Sequence, residues 1–170
     1  MRHWIMTDTH FNHTEKMIEY CGRPKDYEAK LLKSLYMIPR QDCLIFLGDF
    51  CIGNDIEWHK KLKGAECKKI MVKGNHDKKS YGWYMDHGWD FVCNSVGMGL
   101  YGKKLLFSHM PMRDTGLFDL NIHGHFHNSD HRRQEPHLAD ILTDKHLLVM
   151  MEHEYKAISL EKLINTKPTN

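Results

Sequence analysis

The sequence predicts an α/β fold, and three observations indicate it. In the first half, short apolar runs alternate with segments of helical periodicity. In the second half, several strand-like runs follow one another and include a hairpin. The chain has 170 residues, of which 41% are hydrophobic and 27% charged, as in an ordinary globular domain with its own core. We expect a single domain over residues 1–165 and a frayed tail over residues 166–170.

The first half contains three predicted strands with helices between them. The strands are the apolar runs HWIM (His3–Met6), CLIFL (Cys43–Leu47) and KKIMV. The helices are expected at Thr14–Tyr20, at about Tyr27–Ile38 and along IEWHKKL, with a helical or irregular segment at Lys78–His87. Pro39 ends the second helix and Gly64 ends the third, because proline cannot continue a helix and glycine readily adopts the terminating conformation.

The second half is richer in strands. WDFVC and DLNIHGH each predict one strand, and SVGMGLYGKKLLFSH predicts a hairpin that turns at Tyr101, Gly102 and Lys103. HLLVMM predicts a further strand, and SLEKLI predicts a short final helix. The segment Asn128–Lys145 is polar and is expected to be irregular, either a plain loop or a lid over a site.

Composition excludes several classes of protein. The net charge is only +2, so a long nucleic-acid substrate is not expected. The five cysteines include no CxxC pair, which favours free thiols in a reducing compartment. A charge at Asp8 comes too early for a secretory segment, and no apolar run approaches the ~20 residues of a membrane span. We therefore expect a soluble cytoplasmic protein with no membrane partner.

Polar residues follow strand after strand. TDTH, GDF, GNHD, SHMP and HGHFH each come directly after an apolar run, and ligands bind at the carboxyl ends of parallel strands. In HGHFH, alternate histidines would share one side of an extended chain, and a metal ion is their simplest common partner. The candidate ligands are oxygens and imidazoles, which suit manganese, iron or zinc. They are too numerous for one tetrahedral zinc and suit two adjacent ions that share a carboxylate.

These motifs, in this order, resemble the motif series of the calcineurin-like metallophosphoesterases. With the short length, CGRP and SLEKL, the chain is similar to the small bacterial and phage members of that superfamily. The resemblance spans about Met6 to His127. It implies a four-layer αββα sandwich of two mixed β-sheets flanked by helices. It also implies a dinuclear metal-dependent phosphoesterase, in which a hydroxide bridging two divalent ions attacks a phosphomonoester or phosphodiester in line.

The resemblance implies two ion sites that share Asp49. The first ion is expected on Asp8, His10 and His125, and the second on Asn75, His109 and His123. His76 would face the substrate and assist the leaving group, and Asp77 would orient the His76 imidazole. Manganese is the expected metal, and iron, zinc, nickel or magnesium also fit such ligands.

Four further residues are candidate substrate contacts: His13, Arg23, Arg113 and His127. Arginine binds phosphate in a bidentate manner, although exposed arginines without a partner are equally common. The expected substrate is a small phosphorylated molecule or a nucleotide. Two alternatives stay open: a nuclease or cyclic nucleotide phosphodiesterase of the same superfamily, and a non-catalytic metal-binding scaffold. The sequence does not specify a monoester or diester substrate, or an oligomeric state.

Overall fold

Two β-sheets and the helices between their strands form the domain, and the computed structural model describes residues 1–128 and 134–166. The strands are β1 His3–Met6, β2 Cys43–Phe46, β3 Lys68–Val72, β4 Phe91–Cys93, β5 Ser95–Leu100, β6 Lys103–Ser108, β7 Leu120–His123, β8 His146–Leu148 and β9 Ile158–Ser159. The helices are α1 Thr14–Cys21, α2 Tyr27–Tyr36, α3 Asp55–Leu62, α4 Tyr81–Asp86, α5 Pro136–Ala139 and α6 Leu160–Asn165, with a 3₁₀ helix at Met151–His153.

Both sheets are mixed. The first has the order β4-β3-β2-β1-β9, in which β1 to β4 are parallel and β9 pairs antiparallel with β1. The second has the order β5-β6-β7-β8, in which the β5–β6 hairpin is antiparallel and the other pairs are parallel. The two mixed sheets with flanking helices confirm the α/β sandwich expected from the sequence.

One hydrophobic core joins the two sheets and the helices. All four residues of β2 are buried, as expected for a central parallel strand covered on both faces. Side chains of the second sheet, such as Leu105, Phe107 and Ile122, belong to the same cluster as those of β1 and β2. Leu31 of α2 and Leu62 of α3 pack into it as well. The core therefore fixes the carboxyl ends of both sheets relative to each other.

The structure differs from the sequence predictions mainly after residue 128. The predicted strand HLLVMM ends at Leu148, and its last residue begins the 3₁₀ helix Met151–His153. Part of the segment expected to be irregular forms α5, and the two-residue β9 was not predicted because it is too short for a periodic pattern. Residues 129–133 of the proposed loop or lid, and 167–170 of the predicted tail, lie outside the described residues. No helix within the described ranges has the length and apolarity to cross a membrane.

Candidate metal centre

The loops that follow β1 and β2 are joined by backbone hydrogen bonds. The amide of Asp8 donates to the carbonyl of Gly48 (2.8 Å), and the amide of His10 donates to the carbonyl of Asp49 (3.0 Å). Asp8, His10 and Asp49 all have positive φ angles, of 46°, 45° and 59°. Such conformations are uncommon for residues with a side chain and persist where the surrounding structure holds them. These residues are thus held in a specific conformation at one edge of the sheet.

Glycine is required where these loops approach one another. A Cβ at Gly74 would collide with the carboxylate of Asp49, and a Cβ at Gly124 would collide with the side chains of Thr7 and Asp8. The amide of Gly124 donates to the carbonyl of His109 (3.0 Å), which joins the loops after β6 and β7. The carboxyl ends of the two sheets therefore meet at the carboxylates of Asp8 and Asp49.

Asp8, His10 and His127 form the first cluster of candidate ligands. One ligand atom of each lies within 4.8 Å of the others, and all three side chains are buried. The Oδ1 atom of Asp8 lies 3.8 Å from Nε2 of His10 and 3.6 Å from Nε2 of His127. These separations exceed a hydrogen bond. They match two ligands on a common ion, since metal–ligand bonds of about 2.0–2.2 Å place neighbouring ligands roughly 3–4 Å apart.

A second cluster converges on Nε2 of His109. That atom lies 2.8 Å from Oδ1 of Asn75, 3.3 Å from Nδ1 of His125 and 3.4 Å from Oδ2 of Asp49. The opposite nitrogen, Nδ1 of His109, donates its hydrogen to the carbonyl of Leu47 (2.7 Å). Since a carbonyl can only accept, this bond leaves the Nε2 lone pair of neutral His109 directed at the cluster. Asp49 also lies 3.7 Å from His10, so its carboxylate stands between the two clusters.

The histidines of HGHFH take different positions from those expected. His127 joins Asp8 and His10, where His125 was expected, and His125 joins His109, where His123 was expected. Nδ1 of His123 lies 3.0 Å from the carbonyl of Gly124, and its ring meets Phe126 and His146 edge-on. Among the described residues, the three-ligand clusters within 4.8 Å include neither His123 nor His125, and the 3.3 Å contact with Nε2 of His109 is what places His125 at the second cluster.

The end of β7 explains the difference. Alternate side chains share a side only in extended backbone, and β7 ends at His123. Beyond it, His125 and His127 have φ angles of 74° and 49°, and the amide of His125 donates to Oδ2 of Asp8 (3.0 Å). The turn therefore carries these two histidines to the site and leaves His123 in the strand.

His125 and His127 are each contacted by a carboxylate that lies outside the motifs. Oε1 of Glu152, in the 3₁₀ helix, lies 3.1 Å from Nδ1 of His127. Oε2 of Glu135, which precedes α5, contacts Nε2 of His125. Each histidine thus has a carboxylate at the nitrogen opposite the one that faces its cluster. The sequence has no signal for either residue, because neither lies in a motif or at a characteristic spacing.

Asp77 and the ring of His76, which were expected to contact each other, lie in different surroundings. Asp77 accepts hydrogen bonds from the amides of Asp49 (2.7 Å), Gly74 (2.8 Å) and Phe50 (3.2 Å). It thereby holds the Asp49 loop, and no hydrogen bond to the expected partner, the imidazole of His76, is among its described contacts. His76 is exposed, its amide donates to Oδ1 of Asp49 (2.8 Å), and its ring lies 5.5 Å from that of His10.

The structure brings only part of the predicted substrate-contact set to the site. Arg23 is 2% exposed and donates to the carbonyls of Asp8 and Thr9 and to Glu152, so its guanidinium is occupied inside the protein instead of facing a phosphate. Arg113 is exposed in a separate groove on the outer side of β5 and β6. His13 is half-buried and faces the same cleft as His76.

A cleft of about 810 Å³ opens over the two clusters. Its polar part contains the side chains His10, His13, Asp49, Asn75, His76, His125 and His127. Met17, Tyr20 and Ile52 give the cleft an apolar lining as well, beside Glu19, Cys21, Asn128 and Gln134, and Tyr20 is 62% exposed. This volume and mixed lining are typical of a small-ligand site.

The charges of the buried groups depend on one another. Burial favours the neutral form of Asp8, but the imidazoles of His127 and His10 outweigh it and hold the pKa of Asp8 well below its ordinary value. Burial also favours neutral His109, yet Asp49 and Asp8 outweigh it and raise the pKa of His109 to about 9. At His10 burial prevails and lowers the pKa. Asp8 is therefore held as a buried anion that depends on positive charge beside it.

Several buried atoms in the first cluster lack a hydrogen bond. Oδ1 of Asp8 and both ring nitrogens of His10 are buried without a hydrogen-bond partner among the described residues. Such atoms are rare in proteins because each carries a desolvation cost. A divalent cation coordinated by oxygen and imidazole would satisfy them, and the absence of a thiolate in both clusters suits borderline metals. The residues present therefore fit a metal centre.

Comparisons with known proteins indicate the family and the fold. The sequence model of the calcineurin-like phosphoesterases matches residues 1–164. A protein of unknown function from Aquifex aeolicus is 28% identical, with a TM-score of 0.76 over 96% of this chain and 97% of that one. A novel archaeal phosphodiesterase is 17% identical, with a TM-score of 0.52 over 88% of this chain and 82% of that one, a likeness of fold alone. No curated protein matches the sequence significantly.

Proposed function

The chain belongs to the calcineurin-like phosphoesterase family, and we propose that it uses two divalent ions to hydrolyse a phosphomonoester or phosphodiester of a small molecule or nucleotide. The observation that carries this proposal is the pair of buried ligand clusters with Asp49 between them. Unpartnered oxygen and nitrogen atoms in one cluster support an ion there in particular.

We assign the ligands from these contacts. Asp8, His10 and His127 would hold the first ion, and Asn75, His109 and His125 the second. Asp49 would bind both, since its Oδ2 lies 3.7 Å from Nε2 of His10 and 3.4 Å from Nε2 of His109. Manganese is the metal we expect, and iron, zinc, nickel and magnesium are compatible with the same donors.

Bound ions would supply Lewis acidity, which would lower the pKa of a water molecule to near neutrality and offset the charge of the phosphate. The protein supplies the geometry. The Asp77 carboxylate fixes Asp49 by accepting hydrogen bonds from three backbone amides, and the loop hydrogen bonds hold Asp8 and His10 in their positive-φ conformations. Preorganised groups of this kind need no rearrangement as charge develops in the transition state.

His76 is the candidate proton donor to the leaving group. It is exposed at the cleft and its ring lies beside that of His10, so it is near the ligands without being buried among them. Protonation of a departing alkoxide by a positioned imidazole typically contributes about 10²–10⁴-fold to the rate. His13, whose ring lies 6.3 Å from that of His10, would contact the phosphate from another side of the cleft.

The apolar lining of the cleft favours a leaving group with an aromatic ring. Tyr20 is largely exposed and lines the cleft together with Met17 and Ile52. Aromatic rings stack favourably on one another, and every nucleobase has a face suited to such stacking. This lining therefore favours a nucleotide or an aryl ester as the small phosphorylated substrate.

The test combines metal analysis with hydrolysis. Protein purified without chelator is analysed for metal and then assayed with manganese on p-nitrophenyl phosphate, bis-p-nitrophenyl phosphate and cyclic nucleotides. We expect two ions per chain and hydrolysis of at least one ester. Asp49→Ala should lose both the bound metal and the hydrolytic activity. The matched control is Asp26→Ala, which removes an exposed carboxylate at the residue before α2 that pairs only with Lys30 among the described ion pairs. Two bound ions with no turnover of any ester would instead favour a metal-binding scaffold.

A further inference from the structure

Arg23 and Glu152 form a buried ion pair beside the first ligand cluster. Nη2 and Nε of Arg23 lie 2.5 Å and 2.9 Å from Oε1 of Glu152, and the two side chains are 0% and 4% exposed. They are 129 positions apart in the sequence: Arg23 follows α1, whereas Glu152 lies in the 3₁₀ helix after β8. Burying two charges has a large desolvation cost, so an ion pair of this kind is poor evidence of stabilisation by itself.

Arg23 also holds the loop that carries Asp8 and His10. Its Nη2 donates to the carbonyl of Asp8 (2.8 Å), and its Nη1 donates to the carbonyl of Thr9 (3.0 Å). Asp8 and His10 have the positive φ angles described above, which an L-residue adopts only when other contacts compensate. The guanidinium thus fixes the backbone that presents two of the candidate ligands.

Glu152 in turn contacts the third ligand of that cluster. Its Oε1 lies 3.1 Å from Nδ1 of His127, while Nη2 of Arg23 lies 3.3 Å from the same nitrogen. The Nη2 atom has only two hydrogens, and shorter contacts to Asp8 and Glu152 account for both. The proton on the His127–Glu152 contact must therefore belong to Nδ1 of His127. This tautomer leaves Nε2, 3.6 Å from Oδ1 of Asp8, free of a proton and able to bind an ion.

We propose that Glu152 is a positioning residue, which accepts the Nδ1 hydrogen of His127 and, held by Arg23, sets the tautomer and orientation in which His127 binds the first ion. The proposal rests on the proposed metal centre. Carboxylates that orient a ligating imidazole commonly change metal affinity by about 10–100-fold when they are removed. If the ion pair were purely structural, its removal would lower the free energy of unfolding without selectively lowering the affinity for one ion.

The experiment measures Mn²⁺ binding by calorimetry on protein stripped of metal. Glu152→Ala removes the acceptor, and Glu152→Gln keeps an amide oxygen that can accept from Nδ1. The control is Glu154→Ala, two residues along, where the carboxylate is 61% exposed and pairs with Lys156. We expect Glu152→Ala to lower the affinity for one of the two ions by about 10–100-fold. Glu152→Gln should retain much of that affinity, and Glu154→Ala should match the wild type.

A double-mutant cycle separates positioning from structural support. In a His127→Ala background, removing the Glu152 carboxylate should cause no further loss of affinity, because the ligand that it orients is absent. Circular dichroism and thermal unfolding of each metal-free variant identify those that are folded; if Glu152→Ala does not fold, the cycle is run with Glu152→Met, which fills a similar volume and also removes the acceptor.

Three results would overturn the proposal. The first is a folded Glu152→Ala protein that binds both ions as the wild type does. The second is a loss of affinity that is equal in the presence and absence of the His127 imidazole. The third is a wild-type protein that binds no manganese, which overturns the metal centre and the proposal together. The first two leave the metal centre intact, so the two failures are distinguishable.

Discussion

A buried histidine outside the site predicts how the stability of the fold depends on pH. His59 of α3 is 1% exposed and its ring packs against those of Phe50 and Trp83, with centroids 4.8 Å and 5.0 Å away. Its Nδ1 hydrogen bonds to the carbonyl of Asp55 (2.8 Å), while Nε2 is buried without a hydrogen-bond partner among the described residues. A proton on Nε2 would therefore have no acceptor in this aromatic pocket.

The magnitude follows from the shift in pKa. Burial lowers the pKa of His59 from 6.5 to about 4; Asp55 opposes this shift, and the nearby basic side chains of His87 and Lys63 add to it. The unfolded chain keeps the ordinary value, so between pH 6.5 and 4 it binds a proton that the folded chain does not. The contribution is fully present above pH 6.5 and is lost as the pH falls to about 4. At about 1.4 kcal/mol per pKa unit, the loss is up to ~3 kcal/mol.

Urea denaturation of metal-free protein at several pH values between 7.5 and 4 measures this loss. His59→Phe keeps an aromatic ring in the pocket and removes the titrating nitrogen, and His137→Phe is the control at an exposed histidine. The wild type should lose up to ~3 kcal/mol more unfolding free energy than His59→Phe over this range, because the other titrating groups cancel in the difference. Parallel pH profiles for these two proteins would refute the reasoning, as would an equal effect in the control.

Three further predictions concern the site. His127→Ala should bind one manganese ion fewer than the wild type and His123→Ala should bind both, which metal analysis distinguishes; the reverse result would restore the ligand set expected from the sequence. His76→Ala should lower kcat by about 10²–10⁴-fold with both ions still bound, and an unchanged kcat would exclude it as the proton donor. Tyr20→Ala should raise KM for aryl or nucleoside esters by about 3- to 10-fold and leave alkyl esters unchanged, since stacked rings contribute roughly 0.5–1.5 kcal/mol. Equal effects on both ester classes would contradict stacking.

The sequence predicted the strands correctly where the local hydrophobic pattern matches the burial of the strand in the sheet. The apolar runs that became β1, β2 and β3 are interior parallel strands, which require continuous hydrophobic residues, and the polar residues that follow them mark the edge where ligands bind. The β9 strand could not be found in this way. It has two residues, and its pairing with Trp4 and Ile5 of β1 depends on contacts distant in sequence.

The positions of the candidate ligands are harder to predict, because where a strand ends depends on tertiary contacts. The alternation in HGHFH is correct only while the backbone stays extended, and the hydrogen bond from Gly124 to His109 helps to end that extension. His109 belongs to a different loop, so local sequence gives no indication of this bond. Arg23 shows the same limit. Its charge predicted a phosphate contact, but a buried acceptor 129 positions away directs the guanidinium inward.

The groups that orient the histidines explain why motifs identify candidate ligands better than they identify the whole site. A ligand must follow a particular strand, so its position in the motif order is constrained. A carboxylate that accepts from the far side of an imidazole needs only to lie within hydrogen-bond distance, and any passing segment can supply it. Glu135 and Glu152 both come from the part of the chain after HGHFH, from a helix start and a 3₁₀ turn. If the affinity of each ion depends on them, then differences in metal preference among chains with the same motifs should arise in this C-terminal segment as well as at the ligands themselves.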